Sequence, residues 1–166
     1  RSDDRIRAVL LNGSRANNKI PPDKYQDFDI VYVVDDIEGF VSDKGWADVF
    51  GRKLIWQLPD EMVVGQKDPN GRFSMLMLLT DGNRIDLTLL PKKEINANYK
   101  TDSLTVTWLD KDDILSNIGS PDDSDYLVKE PDEKEFLDTC NEFWWVCTYV
   151  AKGLVRNEII YSKEML

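Results

Sequence analysis

Asp27-Phe28-Asp29-Ile30-Val31-Tyr32-Val33-Val34 is the stretch on which the reading of this chain turns. It is rich in β-branched and aromatic residues, which favour a pleated, half-buried strand. Side chains alternate faces on a strand, so Asp27 and Asp29 point the same way, with backbone positions about 6–7 Å apart. Phe28, Ile30, Tyr32 and Val34 point the other way, into a core. Two neighbouring carboxylates repel each other, and a hard divalent cation such as Mg²⁺ between them turns that repulsion into binding. A composition this acidic yields roughly six acid-x-acid triplets by chance, Asp110-Lys111-Asp112 among them. The pair at 27 and 29 differs in opening a strongly apolar strand, where charge needs a reason. Solvated carboxylates at a strand entrance are the alternative.

Upstream, Ile6 to Leu11 is an apolar run closed by Asn12-Gly13-Ser14, a buried strand ending in a glycine turn. Residues 15–26, with Pro21-Pro22, form a polar loop back to Asp27. Glycine permits close backbone approach to a phosphate, Ser14 adds a hydroxyl and an N–H, and Arg15 is a fork donor for phosphate oxygens. A Gly-Ser pair is by itself an ordinary turn, and the GxxxxGK[ST] spacing of a Walker loop is missing.

Downstream, Trp46, Val49, Phe50 and Leu54 recur at helical spacing and predict a helix from Lys44 to Leu58, stopped by Pro59. Phe73 to Thr80 and Arg84 to Leu90 read as strands joined by the hairpin signal Asp81-Gly82-Asn83. In the second of these, Ile85, Leu87 and Leu89 share one face and Asp86 and Thr88 the other. An aspartate in an apolar strand is costly if buried alone; a shared metal site or a salt bridge to Arg84 resolves that cost. If this strand lies beside the Asp27 strand, three carboxylates converge on one face. Two metals held there could clamp an in-line phosphoryl displacement.

Pro91 opens a short polar helix, and Leu104 to Leu109 alternates like a strand. Residues 116–130 are Asp-, Gly- and Pro-rich and read as a linker. After Pro131 a strong helix is expected. Asp132, Glu133 and Glu135 suit its positive end, Phe136, Cys140, Phe143, Cys147, Val150 and Leu154 form its apolar stripe, and Gly153 is expected to end or kink it. The fold class is therefore α+β: a mixed or antiparallel sheet with flanking helices over residues 1–115, the linker, then the beginning of a helical domain over 131–166.

Composition narrows the chemistry. The 166 residues carry 21 Lys plus Arg against 31 Asp plus Glu, a net charge of −10. Such a surface repels phosphate backbones and disfavours general nucleic-acid binding; it suits a cationic ligand, though acidic proteins are often acidic for solubility. No histidine is present, which excludes Ser-His-Asp and Cys-His sites and His-liganded zinc in this chain. The cysteines, Cys140 and Cys147, would lie about 10 Å apart on one helix, too far for a disulfide; unpaired thiols fit a reducing, cytoplasmic compartment. No apolar run is long enough to span a membrane and no leader is visible. The chain opens on Arg1 and stops inside an apparent helix, so we expect a trimmed chain with most of the helical domain outside it.

Together, Gly-Ser after a strand, Asp-hydrophobic-Asp a short loop later, and a third Asp on a later strand resemble the nucleotidyltransferase superfamily of DNA polymerase β type. The fuller text is similar to the aminoglycoside 6-adenylyltransferases, the streptomycin-modifying enzymes: Asn12-Gly-Ser-Arg-Ala-Asn17, Tyr25-Gln-Asp-Phe-Asp-Ile-Val-Tyr32, Arg84-Ile-Asp-Leu-Thr-Leu-Leu90 and Asn141-Glu-Phe-Trp-Trp-Val-Cys-Thr-Tyr-Val150. One position departs: Asn12 stands where the superfamily is usually hydrophobic. The resemblance implies a nucleotidyltransferase-like catalytic domain over 1–115 and an acceptor-binding helical domain from 131. It implies Mg²⁺-dependent transfer of AMP from ATP to an aminoglycoside hydroxyl. Gly13, Ser14 and Arg15 would then bind the triphosphate, and Asp27, Asp29 and Asp86 would be the metal-binding, catalytic carboxylates. Glu142 and Trp145 would face a cationic drug; packing of a Trp-rich helix is the other reading of the tryptophans. The oligomeric state is open. Three other functions stay in view: a nucleotidyltransferase acting on another small-molecule or protein acceptor, a metal-dependent glycosyltransferase using the same Asp-x-Asp logic, and a catalytically silent nucleotide-binding module.

Overall fold

The computed structural model describes residues 1–64, 71–97, 101–115 and 118–166. The chain divides into two compact units, Arg1–Tyr126 and Leu127–Leu166.

The first unit is built on a six-stranded sheet. Its strands are β1 (Ile6–Asn12), β2 (Phe28–Val34), β3 (Lys53–Gln57), β4 (Phe73–Leu79), β5 (Arg84–Pro91) and β6 (Thr105–Asp110), in spatial order β3-β4-β5-β2-β1-β6. Among the described residues only β2 and β5 run parallel; the other pairs are antiparallel. The sheet is thus mixed, of the nucleotidyltransferase-like kind, flanked by the short helices α1 (Glu38–Val41) and α2 (Lys92–Ala97).

Alternation along the central strands gives the sheet two different faces. Leu11, Ile30, Val34, Met75, Ile85, Leu87 and Leu89 bury one face beneath Phe40 of α1 and Ala47, with Trp46 and Phe50 packed alongside. On the other face Ala8, Leu10, Val31, Val33 and Leu90 are covered by Leu115 and by Ile95 of α2. That second cover protects only one end. Beyond it, β2 and β5 carry Asp29, Asp86 and Thr88 beside an open hollow.

The helix expected over 44–58 is not formed. A 3-10 turn spans Gly45–Phe50, Gly51 takes a φ of +109°, and the chain then extends as β3, paired antiparallel with β4 at the sheet edge. Trp46 and Phe50 do bury together, which is why the spacing looked helical. Val49 and Leu54, which a helix would bury with them, are exposed. Tertiary pairing overrides local periodicity here.

In the second unit, α3 (Glu133–Val155) starts with a reciprocal cap. Glu135 N–H donates to Asp132 at 2.8 Å and Asp132 N–H to Glu135 at 3.0 Å, satisfying two amides that the first helical turn leaves without partners. Gly153 lies inside α3, which continues to Val155. It is buried where α4 (Ile159–Glu164) packs, two residues before the last residue of α3, and a Cβ there would lie 2.2 Å from Ser162 Oγ. The absence of a side chain lets the two helices approach. Cys140 and Cys147 both lie on α3 and are unpaired. Among the described residues no helix is long and apolar enough to cross a membrane.

Candidate active site

The carboxylates meet because of strand register. Asp29 on β2 is the parallel partner of Asp86 on β5, and neighbouring strands hold such partners about 5 Å apart. Asp27 precedes β2 by one residue and reaches the same Arg84 guanidinium as Asp86: Nη1 lies 3.3 Å from Asp27, while Nε and Nη2 donate to Asp86 at 2.9 and 2.6 Å. The salt bridge expected as one way to settle the Asp86 charge is therefore present, and it spans two of the three acids. Arg84's own pKa is raised, first by its hydrogen bond to Asp86.

Asp29 is partly withdrawn from water. Burial pushes its pKa up, and the charges of Asp86 and Asp27 push it further. Gly13 packs directly against it. That residue has a φ of +74°, and a Cβ there would sit 2.4 Å from Asp29 Oδ2. Glycine is required twice over, for the left-handed backbone and for the contact.

The rest of the turn is less open than the sequence suggests. Gly13 N–H donates to the Leu104 carbonyl at 3.0 Å. Arg15 donates to the carbonyls of Gln26 (3.1 and 2.8 Å) and Asp27 (3.1 Å) and lies 3.7 Å over the Phe28 ring. It clamps the entry to β2 through Nε and Nη2; the remaining guanidinium N–H groups are the ones a phosphate would meet. Ser14 lines a second hollow with Asp23, Gln26, Asp27 and Asp29. Asn12, the departure from the superfamily pattern, accepts a 3.0 Å hydrogen bond from the Thr105 hydroxyl, so its polarity is satisfied within the sheet.

Two residues of the hollow were not anticipated. Asp102 and Tyr126 line it together with Asn12, Gly13, Asp29, Asp86 and Thr88. Asp102 lies in a turn with no strand pattern and Tyr126 in the Asp-rich stretch; neither carries a local signal of function.

Asp27, Asp29 and Asp86 are the residues that could hold a divalent cation. Their hard oxygens suit one, and a cation would offset the charge crowding at Asp29. As placed, no three acids or thiols among the described residues close on a single ion position; two of these three are turned to Arg84 instead.

Glu142 and Trp145 both lie on α3. Glu142 lines a mainly apolar cavity of about 430 Å³ with Phe143, Val146, Cys147 and Val150. Trp145 donates its indole N–H to the Tyr149 hydroxyl at 2.7 Å, which fixes its ring.

A mixed sheet presenting two aspartates at one strand entrance and a third on the neighbouring parallel strand, with a left-handed glycine against them, defines a nucleotidyltransferase-like protein. The chain belongs to the streptomycin adenylyltransferase family, whose model matches residues 1–166. It is 43% identical over 166 residues to an aminoglycoside 6-adenylyltransferase of Bacillus subtilis (strain 168), covering 99% of this chain and 58% of that one. A protein of the same name from Campylobacter jejuni is 47% identical over 162 residues, covering 98% and 56%. One from Staphylococcus aureus is 40% identical over 160 residues, covering 96% and 57%. The crystal structure of an aminoglycoside 6-adenyltransferase from Bacillus subtilis superposes with a TM-score of 0.55 at 36% identity, covering 99% of this chain and 56% of that chain. The chain thus spans little more than half the length of the relatives it matches.

Proposed function

We propose that this chain carries the nucleotide-transfer part of an aminoglycoside 6-adenylyltransferase. In that reading it moves AMP from ATP to a hydroxyl of a cationic aminoglycoside, streptomycin being the first candidate, and releases pyrophosphate. The observation that carries it is the register pairing of Asp29 with Asp86, with Asp27 tied to the same arginine. The names of the relatives support the reaction and the acceptor class. The family name points to streptomycin.

Three acids repel the phosphates of ATP, so the reaction needs a countercharge. Magnesium supplies it when bound, screening the phosphates and polarising the reacting oxygens. Asp27 and Asp29 are its first ligands in this reading. Asp86 either ligates beside them or takes the proton from the acceptor hydroxyl. Gly13, lacking a side chain, lets the turn that would meet the triphosphate close on Asp29, and Ser14 offers its hydroxyl to the phosphate oxygens. Arg15 holds the backbone at 26 and 27 and so aims Asp27, a different duty from the phosphate contact the resemblance implies. The acceptor oxygen bonds to the α-phosphorus, the bond from that phosphorus to the bridging β-phosphate oxygen breaks, the hydroxyl proton passes to Asp86 or, where Asp86 ligates, to water, and pyrophosphate leaves. Most of the acceleration comes from positioning and charge stabilisation. Glu142 and Trp145 are assigned to the drug, the former as an anion for an ammonium or guanidinium, the latter as an immobilised ring surface.

Mass spectrometry of streptomycin and other aminoglycosides after incubation with MgATP tests this. One adenylate should be added, matched by one pyrophosphate, and Asp29→Asn should abolish the gain while the protein stays folded. Unchanged modification by that variant overturns the carboxylate assignment. A folded chain that binds ATP and modifies no aminoglycoside is a nucleotide-binding module.

A further inference from the structure

We propose that Asp102 is a fourth working carboxylate of this site, holding an ammonium or guanidinium group of the acceptor, and that Tyr126 positions it. The inference rests on the adenylyl-transfer reading above and names a residue of the first unit, in addition to Glu142, that selects a cationic acceptor.

Placement comes first. Asp102 and Tyr126 border the same hollow as Gly13, Asp29 and Asp86, a space of about 350 Å³. The charge of Asp102 is felt at Asp29. The carboxylate does not wander. Its Oδ1 accepts Leu104 N–H at 2.7 Å and its Oδ2 accepts the Tyr126 hydroxyl. The two segments are further locked by Ser103 N–H to Asp125 at 3.0 Å, Asp125 N–H to Ser103 Oγ at 3.2 Å, and Asp122 N–H to the Ser103 carbonyl at 2.9 Å. Leu104 in turn takes the Gly13 N–H on its carbonyl. A rigid wall therefore runs from Tyr126 through Asp102 to the turn that packs on Asp29.

Charge then argues for the role. In the transfer reading Asp27, Asp29 and Asp86 are already assigned to the metal and the acceptor proton, and Arg84 engages two of them. A third carboxylate in that hollow, beside Asp29 and Asp86, repels the nucleotide further. It becomes useful once a second cationic molecule enters. Each Asp102 oxygen has one hydrogen bond already and lone-pair capacity for another donor, so an N–H group of the acceptor can dock without disturbing the wall.

The test compares wild type with Asp102→Asn, Asp102→Glu and Tyr126→Phe. Steady-state kinetics in streptomycin and in ATP are combined with calorimetric binding of streptomycin. Asp102→Asn should raise both the KM and the Kd for streptomycin ~10-fold or more while kcat and the KM for ATP stay within ~3-fold, and should flatten the salt dependence of streptomycin binding. Asp102→Glu should recover part of the affinity. Tyr126→Phe should give a smaller loss with the same signature. A kcat collapse with unchanged streptomycin affinity would make Asp102 a proton acceptor instead. A raised magnesium requirement with unchanged streptomycin affinity would make it a metal ligand. Either result overturns the proposal, as do kinetics and binding identical to wild type. A wild-type protein that binds streptomycin without modifying it refutes the transfer reading, yet the Asp102→Asn binding comparison still decides the role of Asp102.

Discussion

Gly13 and Asp29 are in direct contact: a Cβ on residue 13 would lie 2.4 Å from Oδ2 and 3.2 Å from Cγ of Asp29. The turn after β1 and the entrance of β2 therefore share one volume, and neither can change alone.

Gly13→Ala should show this coupling. Its left-handed backbone at φ +74° disfavours any side chain, and the clash adds to that. A loss of about 1–3 kcal/mol of stability is expected, with transfer activity falling further because Asp29 must move aside. Denaturant titration and turnover assays measure the two losses. Wild-type stability and activity together would show that the turn relaxes freely.

Asp29→Asn should separate stability from function. The Asp29 carboxyl is pushed above its ordinary 3.8, chiefly by burial and then by Asp86 and Asp27. A carboxyl whose pKa is raised by folding favours the protonated fold. Stability therefore declines as pH climbs from the ordinary value through the raised one, and the full penalty applies at neutral pH. The variant should melt at or above the wild-type temperature at pH 7, with the advantage gone below the ordinary value. Turnover should drop at least ~100-fold. A variant that melts well below wild type at neutral pH would contradict the electrostatic account.

Arg84→Gln should expose the repulsion that Arg84 now offsets at Asp27 and Asp86. Because the guanidinium is about half exposed, the cost should be modest, about 1 kcal/mol or less. Added Mg²⁺ or Mn²⁺ should restore the loss, and calorimetry should show the divalent ion binding several-fold more tightly than in wild type. Weaker metal binding in the variant would mean that Arg84 organises the acids rather than competing for them.

Asp112 makes the opposite pH prediction. Arg7 donates to it (2.9 Å from Nε) and so does Lys92 (2.5 Å), and these bonds hold its carboxyl far below 3.8. A depressed carboxyl stabilises the fold above its ordinary pKa and loses that contribution as pH falls through the depressed one. Asp112→Asn should lower the melting temperature at pH 7, and the difference from wild type should shrink as the medium becomes strongly acidic. A pH-independent difference would point to lost packing instead.

Five of the six strands could be read from their apolar runs and turn residues, since alternation and Gly-Asn-Asp turns are local properties. The edge strand β3 could not. Lys53-Leu54-Ile55-Trp56-Gln57 has no hydrophobic face of its own and extends because β4 offers a pairing edge. The site divides similarly. Asp27, Asp29 and Asp86 stand out because acids interrupt apolar strands, and Arg84 was visible as a possible partner two residues from Asp86. The engagement of Arg15 by the backbone at 26 and 27 had no such trace, nor did the presence of Asp102 and Tyr126 in the hollow.

Sequence alone determined which strands carry acids, which face each acid takes, and where glycine must relieve the backbone, because side-chain alternation and φ preferences act over a few residues. Tertiary structure decided which strands stand side by side. Asp86 is 57 residues from Asp29 in the chain, and only the parallel β2–β5 pairing sets them opposite each other. That pairing is chosen by burial of both sheet faces at once, a property no single segment possesses.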